Sequence, residues 1–401
     1  MLVIRGLLAS VVLILGLLLA SILPSEPSPE RSPRSTDAPT SVPAAGDPLE
    51  EPSEHLLYLP RIQSTPPFVA RNIVLLIGDG MGLEHVKAGG MYLYGAAGTL
   101  PFEQFPLHAR LSTHSADNEV TDSAAAASAM ATGRKVNNEV VSKALPGSGE
   151  DLLTLLEYAK QWGLATGLVT NTPITDATPA SFGAHADSRD HEDEIAADYL
   201  HQTRPNVLFG GGHPAMTVGA AQEAGYTVVT NQAELLQLDT ESQTYVSGQF
   251  GQSYIPYEMA GLNGLPHLSE MTSTALRILD NDPQGLFLVV EGGRIDTASH
   301  NQETSRIMGE MAEFARAAQV VIDWAKEHPD TMIVVLADHE TGTLQSVQNS
   351  GAGQVPEITW TSSWHTSSDV GIWVTGGGLD ALPQRMDNTQ IFHLVTGHPL
   401  E

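Results

Sequence analysis

The chain contains no cysteine. That absence excludes disulfides, thiolate metal sites, a catalytic thiol and a lipidated N-terminal cysteine. Any metal must then be held by histidine and carboxylate, which is how two-metal hydrolytic sites are usually built. Positive charge is also in short supply: 19 Lys and Arg stand against 47 Asp and Glu, a formal charge of −28. A polyphosphate partner would be repelled, so no nucleic-acid partner is expected. The acidity otherwise reads as a solvated surface, offset in part if divalent cations bind. Internal repeats are absent. At 401 residues the chain can bury a large core, in one big α/β domain or two smaller ones.

One long apolar run is present. Arg5 is followed by GLLASVVLILGLLLASIL (6–23), 18 uncharged residues. That is longer than a usual signal h-region and just long enough to span a bilayer. No clear small-x-small cleavage pattern follows, so 1–23 reads equally as a cleaved signal peptide or as a membrane anchor. Either way the rest of the chain is expected outside the cytoplasm, periplasmic or extracellular, with N-terminal membrane association if the run is kept. Residues 24–67 hold 11 of the 25 prolines, with Ser and Glu, and read as a disordered or polyproline tether. The folded domain is expected over 68–401.

From Phe68 onward short β-branched runs alternate with amphipathic stretches. Runs at 72–78, 165–170, 206–212, 226–230, 286–290, 332–337 and 370–375 read as strands, most of them buried on both faces. Between them fall a run opened by Ser123, an amphipathic helix at 151–162 stopped by Gly163, and helices near 191–202, 269–280 and 303–328. In the last of these Ile307, Met311, Phe314, Ala318, Val321 and Trp324 share one face, and Pro329 ends the pattern. Alternating βα units predict an α/β fold with a central, mostly parallel sheet and helices on both faces. The segment 231–266 is the least regular and reads as a surface insertion.

The run TDSAAAASAMATG (121–133) sets Ser123 behind an acidic residue and ahead of small, helix-favouring residues. A hydroxyl at a helix start lies among unpaired backbone N–H groups, which favour an anion. It can attack a phosphate if its pKa is lowered, and metal coordination would do that. Potential ligands stand at the ends of four apolar runs. Asp79 follows the first, and Asp176 and Thr178 follow the run at 165–170. Glu291, Asp296 and His300 follow 286–290, and Asp338 and His339 follow 332–337. In open α/β sheets ligand sites gather beyond the carboxyl ends of the strands.

Each part taken alone has a duller reading. Asp296 and His300, four apart, share a helix face but are more often a surface pair. Asp338-His339 is a stronger signal, because a charge at the end of a buried strand needs a partner. His365, in SSWHTSSD, carries no local signal. Arg189, in HADSRD, is either an ordinary surface arginine or a planar fork for two phosphate oxygens. Gly78, Gly80 and Gly82 are turn glycines, or else they let the backbone approach a metal cluster closely.

The conjunction decides between these readings. In chain order stand Asp79, Asp122-Ser123, Asp176-x-Thr178, Arg189, Glu291, Asp296-x-x-x-His300, Asp338-His339 and His365. They are carried by NIVLLIGDGMG, TDSAAAASAMATG, TDATPASFGAHADSR, VVEGGRIDTASH and VVLADHETG, which together resemble the alkaline phosphatase family over roughly 69–375. The resemblance implies that family's three-layer α/β sandwich. It also implies an exported hydrolase of phosphate monoesters, usually a homodimer, in which Ser123 becomes phosphorylated. Two zincs and one magnesium are implied as cofactors. One zinc would be held by Asp296, His300 and His365, serving the leaving group and later the attacking water. The second, on Asp79, Asp338 and His339, would bind the Ser123 oxygen. The magnesium would sit on Asp79, Thr178 and Glu291, with Asp176 contacting it directly or through a water, and Arg189 would clamp the phosphate.

Two departures from the family stand out. Thr297 follows Asp296 where relatives often carry a longer Lys, His or Trp, and the chain is short, with little room for a large crown insertion. The alternatives are a phosphodiesterase on the same core and a catalytically silent, anchored metal- or phosphate-binding protein. A sulfatase is disfavoured, because Ala124 and Ala125, rather than Pro and Arg, follow Ser123.

Overall fold

Apolar runs without polar alternation form the middle of one ten-stranded sheet in the computed structural model, which describes residues 68–400. The expected signal or anchor and the tether lie outside the described residues. Among the described residues no helix is long and apolar enough to cross a membrane. In chain order the first eight strands are β1 (Asn72–Gly78), β2 (Leu107–Ser112), β3 (Ala165–Pro173) and β4 (Val207–Gly211), then β5 (Thr227–Val229), β6 (Val246–Gln249), β7 (Leu286–Gly292) and β8 (Thr331–Ala337). Across the sheet the order is Arg385–Asp387, β2, Val370–Thr375, β8, β1, β7, β3, β4, β6, β5. All pairings are parallel except those of Val370–Thr375, which runs antiparallel to both β2 and β8.

Every residue of β1, β3, β7 and β8 is buried, as expected of a parallel sheet covered on both sides. Two adjacent residues of β3 show the two covers. A Cβ on Gly167 would come within 2.9 Å of Leu279, on the Leu268–Leu279 helix. The next residue, Leu168, packs instead against Gly183, at the end of the Ala177–Gly183 helix. The Thr304–Glu327 helix lies in the first layer and the Ser123–Thr132 helix in the second, each packed against its layer mate. This is the expected three-layer sandwich.

Two expectations are adjusted. The helix expected from 151 begins at Leu155, because Thr154 caps it. The Thr154 hydroxyl accepts from the Glu157 N–H at 3.2 Å, and the Glu157 carboxylate accepts from the Thr154 N–H at 2.9 Å. The segment 231–266 is more than a surface insertion, since it supplies β6, a buried strand paired with both β4 and β5. The sequence VSGQ has no β-branched run to announce a strand. Its Gly248 leaves room for the edge-to-face rings of Phe209 and Phe250, to which a Cβ would come within 2.8 and 2.5 Å. The edge strands β2 and Arg385–Asp387 also lacked a readable pattern, being half exposed.

Register places the chemistry. Gly78 stands level with Gly292 on one side and Ala337 on the other. Asp79 and Asp338 therefore leave adjacent strands at the same height, beside Glu291 at the end of β7.

Candidate active site

Ser123 opens a helix of small residues whose first nine positions are all buried. Asp122 is its N-cap, and its carboxylate accepts from the Ala125 N–H at 3.0 Å. Small side chains let this helix lie close to Ala177–Gly183, where the Ser181 hydroxyl donates to the Ala124 carbonyl at 3.0 Å and lies 3.2 Å from the Ser128 hydroxyl. The packing leaves little play at the serine. Its Oγ stands 3.2 Å from His339 Nε2.

The residues around that histidine come from three strand ends. His339 Nε2 is 3.3 Å from Asp79 Oδ1 and 3.4 Å from Asp338 Oδ2. Asp338 is aimed by its other oxygen, which accepts from the N–H groups of Gly80 at 3.0 Å and His339 at 2.9 Å. Gly80 has φ +68°, and a Cβ there would stand 2.8 Å from both Asp296 Oδ1 and Thr341 Oγ1. Only glycine fits that turn.

Asp296 and His300 lie on the short Arg294–His300 helix after β7, with His300 Nε2 at 3.2 Å from Asp296 Oδ2. His365 joins them because its strand, His365–Thr366, pairs with Glu340–Thr341 just beyond His339. His300 and His365 face each other with Nε2 atoms 3.1 Å apart. Their Nδ1 atoms face the carbonyls of Ser363 (2.6 Å) and Thr121 (3.0 Å). A carbonyl only accepts, so each Nδ1 carries a proton, and Nε2 is the nitrogen left to bind a cation. Held 3.1 Å apart, the two Nε2 atoms need a proton or a cation between them.

Electrostatics point the same way. Burial, and then the charges of Asp338, Asp296, Glu291 and Asp176, push the Asp79 carboxyl well above the usual range. Burial pushes Asp338 up to about 7 and, with Asp176 beside it, Glu291 up to about 8. Burial and neighbouring His365 push His339 well down, so it is neutral. Burial opposes ionisation of Asp296, yet the His300 hydrogen bond and the nearby histidines hold it well below the usual range. Asp79 Oδ1, Asp338 Oδ2 and Thr178 Oγ1 are buried without a hydrogen-bond partner. Buried polar atoms are rarely left so, and these three belong to the expected ligand sets. A neutral buried His339, crowded carboxylates and unpartnered oxygens together suit bound cations.

Among the described residues three groups have ligand atoms mutually within reach of one ion, two of them at this site: Asp296 with His300 and His365, and Asp79 with Asp296 and His339. The first is the expected set. The second has Asp296 where Asp338 was expected, so Asp296 borders both positions, while Asp338 keeps its unpartnered oxygen toward His339. A third group, Glu258, His267 and Glu313, is already satisfied: His267 pairs with Glu258 at 2.8 Å, and Glu313 accepts from the Ser269 N–H and from Arg316.

Asp176 caps the Ala177–Gly183 helix that carries Thr178. Thr170 and Thr172 donate to the Glu291 carboxylate. Arg189 spans the site, its Nη1 3.3 Å from Asp122 and its Nη2 2.9 Å from Asp176. It is therefore no ordinary surface arginine. Two carboxylates hold the guanidinium over a cleft of about 500 Å³ that Ser123, Asp79, Asp296, His300 and His365 also line. Glu291, Asp338, His339 and Thr178 lie buried beneath it.

The structure places Asp122 and Thr297, which the sequence reading named without assigning them a role, and adds Thr341, Tyr254 and Trp364, which it missed. Asp122 and Thr341 position others: the Thr341 hydroxyl donates to Asp296 at 2.5 Å and lies 3.2 Å from His339 Nδ1. Their only signal was adjacency to Ser123 and His339. Tyr254, Thr297 and Trp364 line the cleft. Trp364 stands next to His365 in sequence, whereas Tyr254 lies in the irregular segment and gave no signal.

The sequence profile of the family described as alkaline phosphatase matches residues 70–223 and 215–356. The chain is 38% identical over 290 residues to Alkaline phosphatase 3 of Bacillus subtilis, covering 68% of this chain and 61% of the relative. It is 32% identical over 409 residues to Streptomycin-6-phosphate phosphatase of Streptomyces griseus, covering 82% of this chain and 90% of that protein. The chain thus spans about three fifths of the length of the first relative and nine tenths of the second. A solved structure of a TAB5 alkaline phosphatase mutant with Mg bound in the M3 site superposes with a TM-score of 0.71 at 25% identity. That match covers 82% of this chain and 98% of the other.

Proposed function

The chain belongs to the alkaline phosphatase family, and from that premise we propose that it is a metal-dependent phosphomonoesterase working through a phosphoserine at Ser123. The observation that carries the proposal is the Ser123 hydroxyl, buried at a helix start and 3.2 Å from His339 Nε2, on the rim of the histidine–carboxylate basin. In the reaction the Ser123 oxygen forms a bond to phosphorus while the bond to the leaving alcohol breaks. Water then releases phosphate from the serine. The proposed cofactors are two zincs, on Asp296, His300 and His365 and on Asp79, Asp338 and His339, and a magnesium on Asp79, Thr178 and Glu291 with Asp176. When bound, such ions neutralise the carboxylates and lower the pKa of hydroxyl and water nucleophiles. The protein's part is to hold Ser123 in line, to aim Nε2 of His300 and His365 by anchoring each Nδ1 on a backbone carbonyl, and to present Arg189 to the phosphate oxygens.

The same proposal places the domain outside the cytoplasm, on the strength of the apolar run at 6–23, and takes it to be a homodimer. The test is turnover of 4-nitrophenyl phosphate against bis(4-nitrophenyl) phosphate on protein loaded with zinc and magnesium. Far faster hydrolysis of the monoester is expected. A diester rate equal or higher would transfer the site to the phosphodiesterase alternative.

Arg189 gives a finer prediction. Its guanidinium can bond both carboxylates and still turn a donor to phosphate, whereas an ammonium lacks that fork. Alanine would also leave Asp122 and Asp176 facing the substrate dianion. Arg189→Lys should lower kcat/KM about tenfold and Arg189→Ala about a hundredfold, roughly 1.4 and 2.7 kcal/mol of transition-state stabilisation. Inhibition by inorganic phosphate should weaken in the same order. Inhibition constants unchanged in both variants would remove Arg189 from the phosphate.

A further inference from the structure

Trp364 is the most exposed large apolar side chain among the described residues, at 73%. Its indole is left in water although burying a side chain of that size is worth a few kcal/mol. Its backbone, in contrast, is fixed on both sides. The Trp364 N–H donates to the Ser362 hydroxyl at 3.0 Å, and its carbonyl accepts from the Gly342 N–H at 3.0 Å. Its neighbours are the Ser363 carbonyl that orients His300 and the ligand candidate His365. The ring stands edge-on to His300, with centroids 5.9 Å apart at 78°, and lines the same cleft as Ser123. A rigid stem thus carries an uncovered flat ring beside the histidine pair.

The rest of the cleft offers little to a charged leaving group. Apart from the histidines, Arg189 is the only cationic side chain among the described residues that lines it, and two carboxylates already hold that residue. Asp122, Glu139 and Asp176 add negative charge at its edge. A second partly exposed aromatic, Tyr254, lines it as well, with the Arg294 guanidinium 5.0 Å from its ring. Besides neutral polar side chains such as Asn118, Asn138 and Thr297, the cleft offers a departing group the aromatic surface of Tyr254 and Trp364.

Resting on the phosphatase reading, we propose that Trp364 is a platform for the leaving group. Monoesters whose leaving group carries a flat, uncharged ring, aryl or nucleoside, are thereby favoured over aliphatic ones. Stacking on one aromatic side chain is commonly worth a tenfold effect or more on truncation to alanine.

The test uses protein loaded with zinc and magnesium. The ratio of kcat/KM for phenyl phosphate to that for glycerol 2-phosphate should fall about tenfold in Trp364→Ala. In Trp364→Phe, which keeps a ring, most of the ratio should survive. Taking the ratio cancels the different reactivities of the two esters and any general loss from disturbance near His365. Calorimetric binding of phenylphosphonate against methylphosphonate reads the same preference without turnover, and that ratio should fall alike. An unchanged binding ratio in Trp364→Ala overturns the platform, whatever the turnover. If wild type hydrolyses neither monoester, the phosphatase reading is what fails, and the binding ratio still judges Trp364.

Discussion

Replacing Ser123 with alanine should lower phosphatase turnover by several orders of magnitude and leave the fold intact. The fold is spared for local reasons. Alanine is a better helix former than serine, and the Asp122 cap does not use the Ser123 side chain. The site loses more. In a covalent mechanism the missing oxygen is the atom that bonds to phosphorus, so what is left is whatever positioning and bound ions can do with water. Acid quenching of wild type with a labelled monoester should trap phosphate on Ser123, and the variant should trap none. A variant that turns over near the wild-type rate, with no phosphoserine in wild type, would end the covalent assignment. Comparing Ser123→Ala with the Arg189 variants also ranks the parts, because loss of a clamp weakens binding whereas loss of the nucleophile removes a step.

What the sequence allowed one to read follows from where each signal is stored. β1, β7 and β8 are buried on both faces, so their identity is written in unbroken apolar runs, and the residues at and after their ends stood out as candidate ligands. β6 is equally buried, yet its VSGQ is legible only through the strands it pairs with, far away in the chain. His365 had no local signal and entered through the family resemblance alone. The structure supplies the cause, a two-residue pairing with the segment that follows His339. The spacing of Asp296 and His300 showed a shared helix face but not that Asp296 borders both candidate ion positions. Arg189 was an open choice in sequence, because its two carboxylate partners lie 67 and 13 positions away. Tyr254 and Trp364 belong to the shape of the cleft, and no short pattern encodes a shape.

Removing the metals should abolish activity, and zinc with magnesium should restore it; the melting temperature should report the same event independently. Without cations, Asp79, Asp338 and Glu291 are buried together with their charges opposed, which is why their carboxyls lie above the usual range. The sign of the pH dependence follows. An acid whose folded pKa is raised binds more protons folded than unfolded, so stability falls as pH rises between the two values. For Asp338 and Glu291 that window runs from the ordinary carboxylate values, about 4, to about 7 and about 8. The metal-free protein should therefore lose melting temperature steadily from about pH 5 to pH 8. In the loaded protein the ions hold the same carboxylates charged, so that loss should be absent, and ligand binding adds stability of its own. The gap between the two forms should thus widen with pH. A chelated protein confirmed metal-free by elemental analysis that keeps full activity would exclude the metal mechanism. A gap that stays constant from pH 5 to pH 8 would mean that the buried carboxylates are satisfied by something other than cations.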